Sequence, residues 1–205
     1  MPNWCENDLW VAGPEFMKVV DFVASKPTDG TPPDAFDFNQ SIEMPACLQE
    51  THSGPSYSRG CFILGGPASG FLRDLDEPRT TDLSVLRAFY AKRYPKDTVE
   101  AQANYKAWLE TGYLSWYEWA NSNWGTKWNA CDSQVQFYRG FVKFKFNTAW
   151  GPPNPVIATL AAKFPQNKLT HKYYECGMAV KGSDVYEKGV LVSSTTQEYH
   201  GSRGG

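Results

Sequence analysis

The sequence predicts an α+β fold: an antiparallel sheet with helices on one face, interrupted by a largely helical insertion. Three observations predict it. The first 25 residues read as one strand followed by one helix. Residues 133–147 alternate along the chain with the period of a β-strand. The stretch 154–164 repeats apolar residues at helical spacing, and strand-like runs follow it. Strand signals therefore sit at the two ends of the chain and helical signals in between, as in α+β proteins.

The elements follow in order. MPNWCENDLWVAG reads as a strand ending at Gly13. Pro14 stands where a helix can begin, and Phe16, Val19, Val20 and Val23 recur at helical spacing. Pro27 and the breaker-rich KPTDGTPPD stop that helix near Ser25. AFDFNQSIEMP has the character of a short strand, and the apolar run CFILGG that of a buried one. Asp82 is placed to cap a helix over about 83–94 with Leu83, Leu86 and Tyr90 on one face. A second helix is expected over about 98–110 with Tyr105, Trp108 and Leu109 inward, closed by Gly112, and a third over Leu114 to Asn123. SQVQFYRGFVKFKFN is a hairpin or one long strand. In it Tyr138, Val142, Phe144 and Phe146 share one parity, and Arg139, Phe141, Lys143 and Lys145 the other. A helix over about 154–164 buries Val156, Ile157, Leu160, Ala161 and Phe164 and ends at Pro165. KLTHKYYECGMAVKG supplies a strand or hairpin, and VYEKGVLVSS an edge strand.

With the insertion removed, the order is β-α-β-β-α-β, that of a ferredoxin-like split βαβ domain. The expected boundaries are a strand–helix unit at 1–26, an insertion at 27–129 and the rest of the core at 130–205.

MPNWCEN at 1–7, WGTKWNA at 124–130, TAWGPPNPVIATLAAKFP at 148–165 and YYECG at 173–177 together resemble the YubB-like family. This family, also called Api ninety-two-like, comprises phage and plasmid proteins with a C-terminal ferredoxin-like domain. The resemblance implies that fold and an origin on a mobile genetic element. It transfers no catalytic residues. The neighbours of such proteins on mobile elements include antagonists of host defence, an association rather than a mechanism.

Composition narrows the function classes. A chain of 205 residues buries about 70% of its unfolded surface, enough for a core without covalent staples. Charged residues at 20% and hydrophobic ones at 41% exclude a polyelectrolyte tail. Eight Trp, 11 Tyr and 12 Phe are a heavy aromatic load that suits either a core or a recognition surface. Residues 1–50 hold nine acidic side chains against Lys18 and Lys26, so the net charge of −2 hides an acidic end and a basic remainder. Cys5, Cys47, Cys61, Cys131 and Cys176 show no CxxC pairing and read as free or buried thiols in a reducing compartment. No signal-peptide pattern and no membrane-length apolar run is present, so the expected location is the host cytoplasm, away from membranes.

Catalytic chemistry has few candidates. His52, His171 and His200 lie far apart and no ligand spacing suggests a metal. GGPASGF places Gly65 and Gly70 at the spacing of a phosphate loop, but Phe71 stands where the mechanism needs Lys. Cys5 beside Glu6, and His171 with Glu175, are pairs that a solvated sheet face would equally produce. The expectation is a non-enzyme without cofactor. Its function is expected to be that of an accessory protein that antagonises a host defence protein by direct contact, with Asp29, Asp34 and Asp37 as an acidic partner surface. One alternative is a protein that sequesters a small nucleotide signal on Trp116, Trp119, Trp124, Lys127, Trp128 and Asn129, a set that a core would bury instead. The other is single-stranded nucleic-acid binding by the strip Arg139, Phe141, Lys143 and Lys145, which begins like an RNA-recognition strand and then departs from it.

Overall fold

The computed structural model describes residues 3–27, 32–68, 72 and 74–200. The chain forms two compact units, residues 1–43 with 120–205 and residues 44–119.

The first unit is built on one six-stranded antiparallel sheet of order β2-β3-β1-β4-β5-β6. Its strands are β1 (Trp4–Ala12), β2 (Cys131–Tyr138), β3 (Phe141–Ala149), β4 (Lys168–Glu175), β5 (Val180–Glu187) and β6 (Val190–Glu198). Helices α1 (Phe16–Val23) and α8 (Asn154–Lys163) are the two crossovers of a ferredoxin-like core. β5 and β6 continue the sheet beyond β4. Both helices lie on one face, where Phe22 of α1 meets the ring of Phe164.

Strand alternation sorts the residues. Leu9 and Val11 of β1, Val142, Phe144 and Phe146 of β3, and Leu169 of β4 are buried beneath the helices. Val156, Ile157, Leu160 and Ala161 of α8 complete that layer, as the helical spacing predicts. Residues 36–38 join it too. Phe36 stacks on Phe146 at 4.9 Å and meets Phe144 edge-on at 5.3 Å. AFDFNQSIEMP is therefore not a strand. It holds a single turn at Phe38–Gln40 that Asp37 caps by accepting from the Asn39 N–H. Because Phe36 and Phe38 belong to this core, the second unit begins at 44 rather than 27, and it ends at 119 rather than 129.

The β2–β3 connection is a hairpin whose turn is Arg139–Gly140, with Gly140 at φ +86°. Tyr138 consequently pairs with Phe141 and stacks on it at 4.7 Å. The two-residue turn moves Tyr138 off the face of Val142 and Phe144, where continuous alternation had placed it.

The second unit is helical: α2 (Ala46–Gln49), α3 (Pro55–Leu64), α4 (Leu83–Arg93), α5 (Asp97–Glu100), α6 (Gln102–Thr111) and the first half of α7 (Trp116–Asn123). Asp82 caps α4 through the Ser84 N–H, and Tyr90 is buried as expected. Leu83 is exposed, and so is Leu109 at 63%, where Asn104 and Ala107 take the inward positions of α6. CFILGG is the last turn of α3 rather than a strand. Pro55 starts that helix and Gly65, in the left-handed region, ends it. At Gly60 a Cβ would stand 2.1 Å from the Asp97 carbonyl oxygen, so only glycine permits α3 and α5 to approach this closely. No helix among the described residues is long and apolar enough to cross a membrane.

Candidate functional site

The sheet face opposite α1 and α8 carries the residues that the core does not use. On β1 these are Trp4, Glu6, Asp8 and Trp10, one parity of the strand. Register pairing sets the rows. Trp10 lies between Lys143 and Thr170, Asp8 between Lys145 and Lys172, and Glu6 between Asn147 and Tyr174. β5 adds Lys181 beside Tyr174, and β2 adds Gln134 and Gln136 beside Lys145 and Lys143. Aromatic, amide and ammonium groups thus alternate over the two central strands and their neighbours.

Electrostatics organise the middle of this face. Asp8 is buried, and the Lys143 ammonium sits 3.1 Å from its Oδ2 with the lysine side chain only 14% exposed. The same ammonium lies 4.6 Å from the Trp10 ring centroid, and the Lys172 ammonium 5.5 Å from it. Lys172 is exposed, and Lys145 and Trp10 are half-buried. Two shallow hollows flank the β1–β4 ridge. One of about 220 Å³ is lined by Glu6, Asp8, Asp132, Gln134, Lys145 and Asn147. The other, of about 160 Å³, is lined by Lys172, Tyr174, Lys181, Ser183, Thr195 and Gln197.

A second cluster stands at the Trp4 end. Trp4 and Trp128 have ring centroids 6.0 Å apart. The Lys127 ammonium lies 4.5 Å from the Trp128 ring and 5.3 Å from that of Trp150. The Trp150 N–H donates to the Asn3 carbonyl at 2.9 Å, and the Thr126 hydroxyl to the Ala149 carbonyl at 2.8 Å. Those two bonds tie the chain start and the 126–128 and 149–151 loops together. Gly177 packs so tightly on Asn3 that a Cβ there would meet its Nδ2 at 2.0 Å. Segments from the two ends of the sequence, Asn3 and Gly177 among them, are thereby gathered at one end of the sheet.

Residues 123–203 match the family of ferredoxin-like domains in Api92-like proteins. The crystal structure of a protein api92 from Yersinia pseudotuberculosis is similar to this chain at 14% identity and a TM-score of 0.49, over 98% of this chain and 99% of that one. No curated protein matches. The Api92-like segment contains β2 to β6, α8, Lys127, Trp128 and Trp150. β1, with Trp4, Asp8 and Trp10, lies outside it.

The sequence-derived candidates fare unequally. Phe141, Lys143 and Lys145 do share the open face. Arg139 does not, because it sits in the hairpin turn. Trp124 is buried, with its indole N–H donating to the Ile42 carbonyl at 2.8 Å and its ring edge-on to Phe38. The side chain of Asn129 accepts from the Phe38 N–H and donates to Asp37, each within 2.8 Å. Trp124 and Asn129 therefore hold the core together, leaving Lys127 and Trp128 at the surface cluster. Trp116 and Trp119 belong to the second unit, and Trp119 is buried. Of the acidic surface, Asp37 is buried and its carboxylate accepts from Asn39, Gln40 and Asn129. That carboxylate is spent inside the protein and cannot face a partner. Asp34 is exposed, while Asp29 lies outside the described residues, as do Gly70 and Phe71 of the glycine-rich loop.

Of the catalytic candidates, Cys5, His171 and Glu175 are on the covered face and Glu6 is on the open one. Burial pushes the Cys5 thiol up to about 12, far from a thiolate at neutral pH. His171 and Glu175 are both buried rather than solvated, and Glu175 accepts from the Gly177 and Met178 N–H groups of the β4–β5 turn. Among the described residues, no three His, Cys, Asp or Glu side chains gather as a metal ion would require. Sequence reasoning missed Trp10, Lys172, Tyr174 and Lys181. The alternation of β1 and β4 would have put them on common faces, but only the pairing of β1 between β3 and β4 makes them neighbours.

Proposed function

We propose that this protein is a non-catalytic binding protein whose open sheet face holds single-stranded nucleic acid. One observation carries the reading: on the sheet face opposite the helices, the Trp10 ring has the Lys143 ammonium at 4.6 Å and the Lys172 ammonium at 5.5 Å, and Lys145 and Lys172 share the next row. A half-buried indole offers a stacking platform that every base can use, and the Lys172 and Lys145 ammonium groups near it suit the phosphates that flank a stacked base. Tyr174 and the Tyr138–Phe141 pair extend the platform, and Gln134, Gln136 and Asn147 supply amide donors and acceptors along it. The inaccessible Cys5 and His171 support a binding role over a catalytic one. The mobile-element setting implied by the sequence resemblance is compatible with strand binding and with antagonism of host defence. Of the acidic surface Asp29, Asp34 and Asp37 that the antagonist reading drew on, the core consumes Asp37, and the lysine-rich face supports strand binding.

Fluorescence anisotropy with labelled 12-nucleotide DNA and RNA strands tests the proposal. With Lys145, Lys172 and Lys181 meeting phosphates, log K against log salt should slope at about −2, a loss of roughly twenty-fold between 50 and 200 mM salt. Reversing charge in Lys145→Glu with Lys172→Glu should weaken binding at least tenfold while leaving the thermal midpoint nearly unchanged. Lys143 is spared because it serves Asp8. Affinity that ignores salt, or survives the double reversal, would sink the reading.

A further inference from the structure

We propose that Trp4, Lys127, Trp128 and Trp150 form a second stacking subsite, which takes a base from the end of the strand lying along β1. The inference rests on the strand-binding reading and names where that strand ends.

Four observations carry it. Trp150 has φ +69°, in the left-handed region that bulky side chains avoid. Such a conformation persists only where the surroundings impose it, and it gathers at ligand-binding positions. Here the Asn3 carbonyl and the Gly151 carbonyl, which accept from the Trp150 N–H and the Thr148 hydroxyl, impose it. The strain does not bury the ring fully: Trp150 is left 44% exposed and Trp4 38% exposed. Indoles this large normally contribute by being covered, so two partly exposed ones beside a third form a surface that a flat ligand would cover.

The third observation is Lys127. Its ammonium lies over two of the rings rather than in open water, which fixes a positive charge at the rim of the aromatic surface. A base on the indoles would place its own phosphate within reach of that charge. An apolar or cationic ligand would gain nothing from it.

The fourth is continuity. Trp4 shares its strand face with Glu6, Asp8 and Trp10, and faces Ala149, the residue before Trp150. Trp10 and Trp4 are six residues apart on one strand, so the two aromatic stations stand about 20 Å from each other. A single strand following β1 meets Trp10, then Lys145 and Lys172, then Tyr174, and finally the tryptophan cluster. Binding should therefore depend on strand length until both stations are filled.

The test uses the full chain and oligothymidylates of 2, 4, 8 and 12 nucleotides, read by anisotropy. The expected result is affinity that climbs with length and levels once both stations are spanned. Trp150→Gly is the informative variant, because glycine removes the ring and relieves the left-handed backbone together. It should keep or raise the thermal midpoint and lower affinity for the 8- and 12-mers about tenfold, the loss expected for one stacking contact. Lys127→Ala should lower it less and flatten the salt dependence. If Trp150→Gly and Lys127→Ala bind the 12-mer like the unaltered protein while Lys145→Glu with Lys172→Glu does not, strand binding stands and the second subsite is wrong. If no strand binds the unaltered protein at any length, the strand reading itself fails and the subsite with it. A lowered midpoint in Trp150→Gly with affinity intact would assign the cluster to folding alone.

Discussion

Lowering the pH from 6.5 towards 3 should progressively destabilise this protein, with His171 as the principal source above the carboxylate range. His171 is fully buried on the covered face of β4, and burial lowers its pKa from 6.5 to about 3 against the opposing pull of Asp8. The geometry explains the direction. Its Nε2 lies 3.0 Å from Asn7 Oδ1, while the Asn7 amide nitrogen is committed to the Cys5 carbonyl and the Thr148 hydroxyl. The proton of the neutral ring is therefore on Nε2. Nδ1 has no partner among the described residues, so a second proton would add a charge and a donor where nothing accepts it. One carboxylate opposes the shift: Asp8, on the other side of the sheet. It favours the charged ring, and desolvation outweighs it.

The sign follows from proton uptake. Between pH 6.5 and pH 3 the unfolded chain binds a proton at this histidine that the folded chain refuses. The contribution is complete above 6.5 and shrinks as pH falls. It amounts to a loss of about 2 kcal/mol at pH 5 and on the order of 4 kcal/mol near pH 3. Urea unfolding at pH 7, 6 and 5 measures it cleanly, since few carboxylates titrate in that interval. His171→Gln, which keeps a donor for Asn7 and does not titrate, should be weaker at pH 7 and flat from pH 7 to 5. Parallel curves for the variant and the unaltered protein would show that the loss arises elsewhere.

The elements readable from sequence were those whose signal is local. Asp82 immediately before α4, Pro165 after α8, and the strict alternation of 141–147 each reflect one helix turn or one strand. CFIL was misread because four apolar residues fit a strand or a helix equally well. The deciding signals, Pro55 at one end and Gly65 at the other, stand six residues before the run and just after it. Asp37 looked like a surface charge because its role depends on Asn129, which lies 92 residues away. The same distance hid half of the candidate site. Lys143 and Lys145 could be placed on one face from β3 alone, but their meeting with Trp10 and Lys172 is a matter of register across three strands. Trp150 was hidden for another reason, since nothing in TAWGPPNP announces a tryptophan at positive φ.

Replacing Lys143 by methionine should cost about 3 kcal/mol, far more than the same change at Lys145 or Lys172. All three lysines are on the open face, yet their tasks differ. Asp8 is 1% exposed, and Lys143, 3.1 Å from its Oδ2, supplies the ammonium that compensates its charge. Removing that ammonium leaves a buried carboxylate poorly compensated, whereas Lys172→Met touches an exposed side chain and should cost no more than about 0.5 kcal/mol. The pair itself need not stabilise the fold. Asp8→Leu with Lys143→Met removes both charges, and should recover most of the loss because an apolar pair of similar volume avoids the desolvation that the ions incur. Urea unfolding of the two single variants and the double variant closes the cycle. A coupling below about 0.5 kcal/mol, or equal costs at Lys143 and Lys172, would refute the assignment. The result also bears on function. If Lys143 is held by Asp8, it positions the Trp10 ring and lends it a fixed cation, while Lys145 and Lys172 remain to meet phosphates. The double variant should then fold normally and still bind strands with a salt slope close to that of the unaltered protein, because the phosphate-facing lysines are intact.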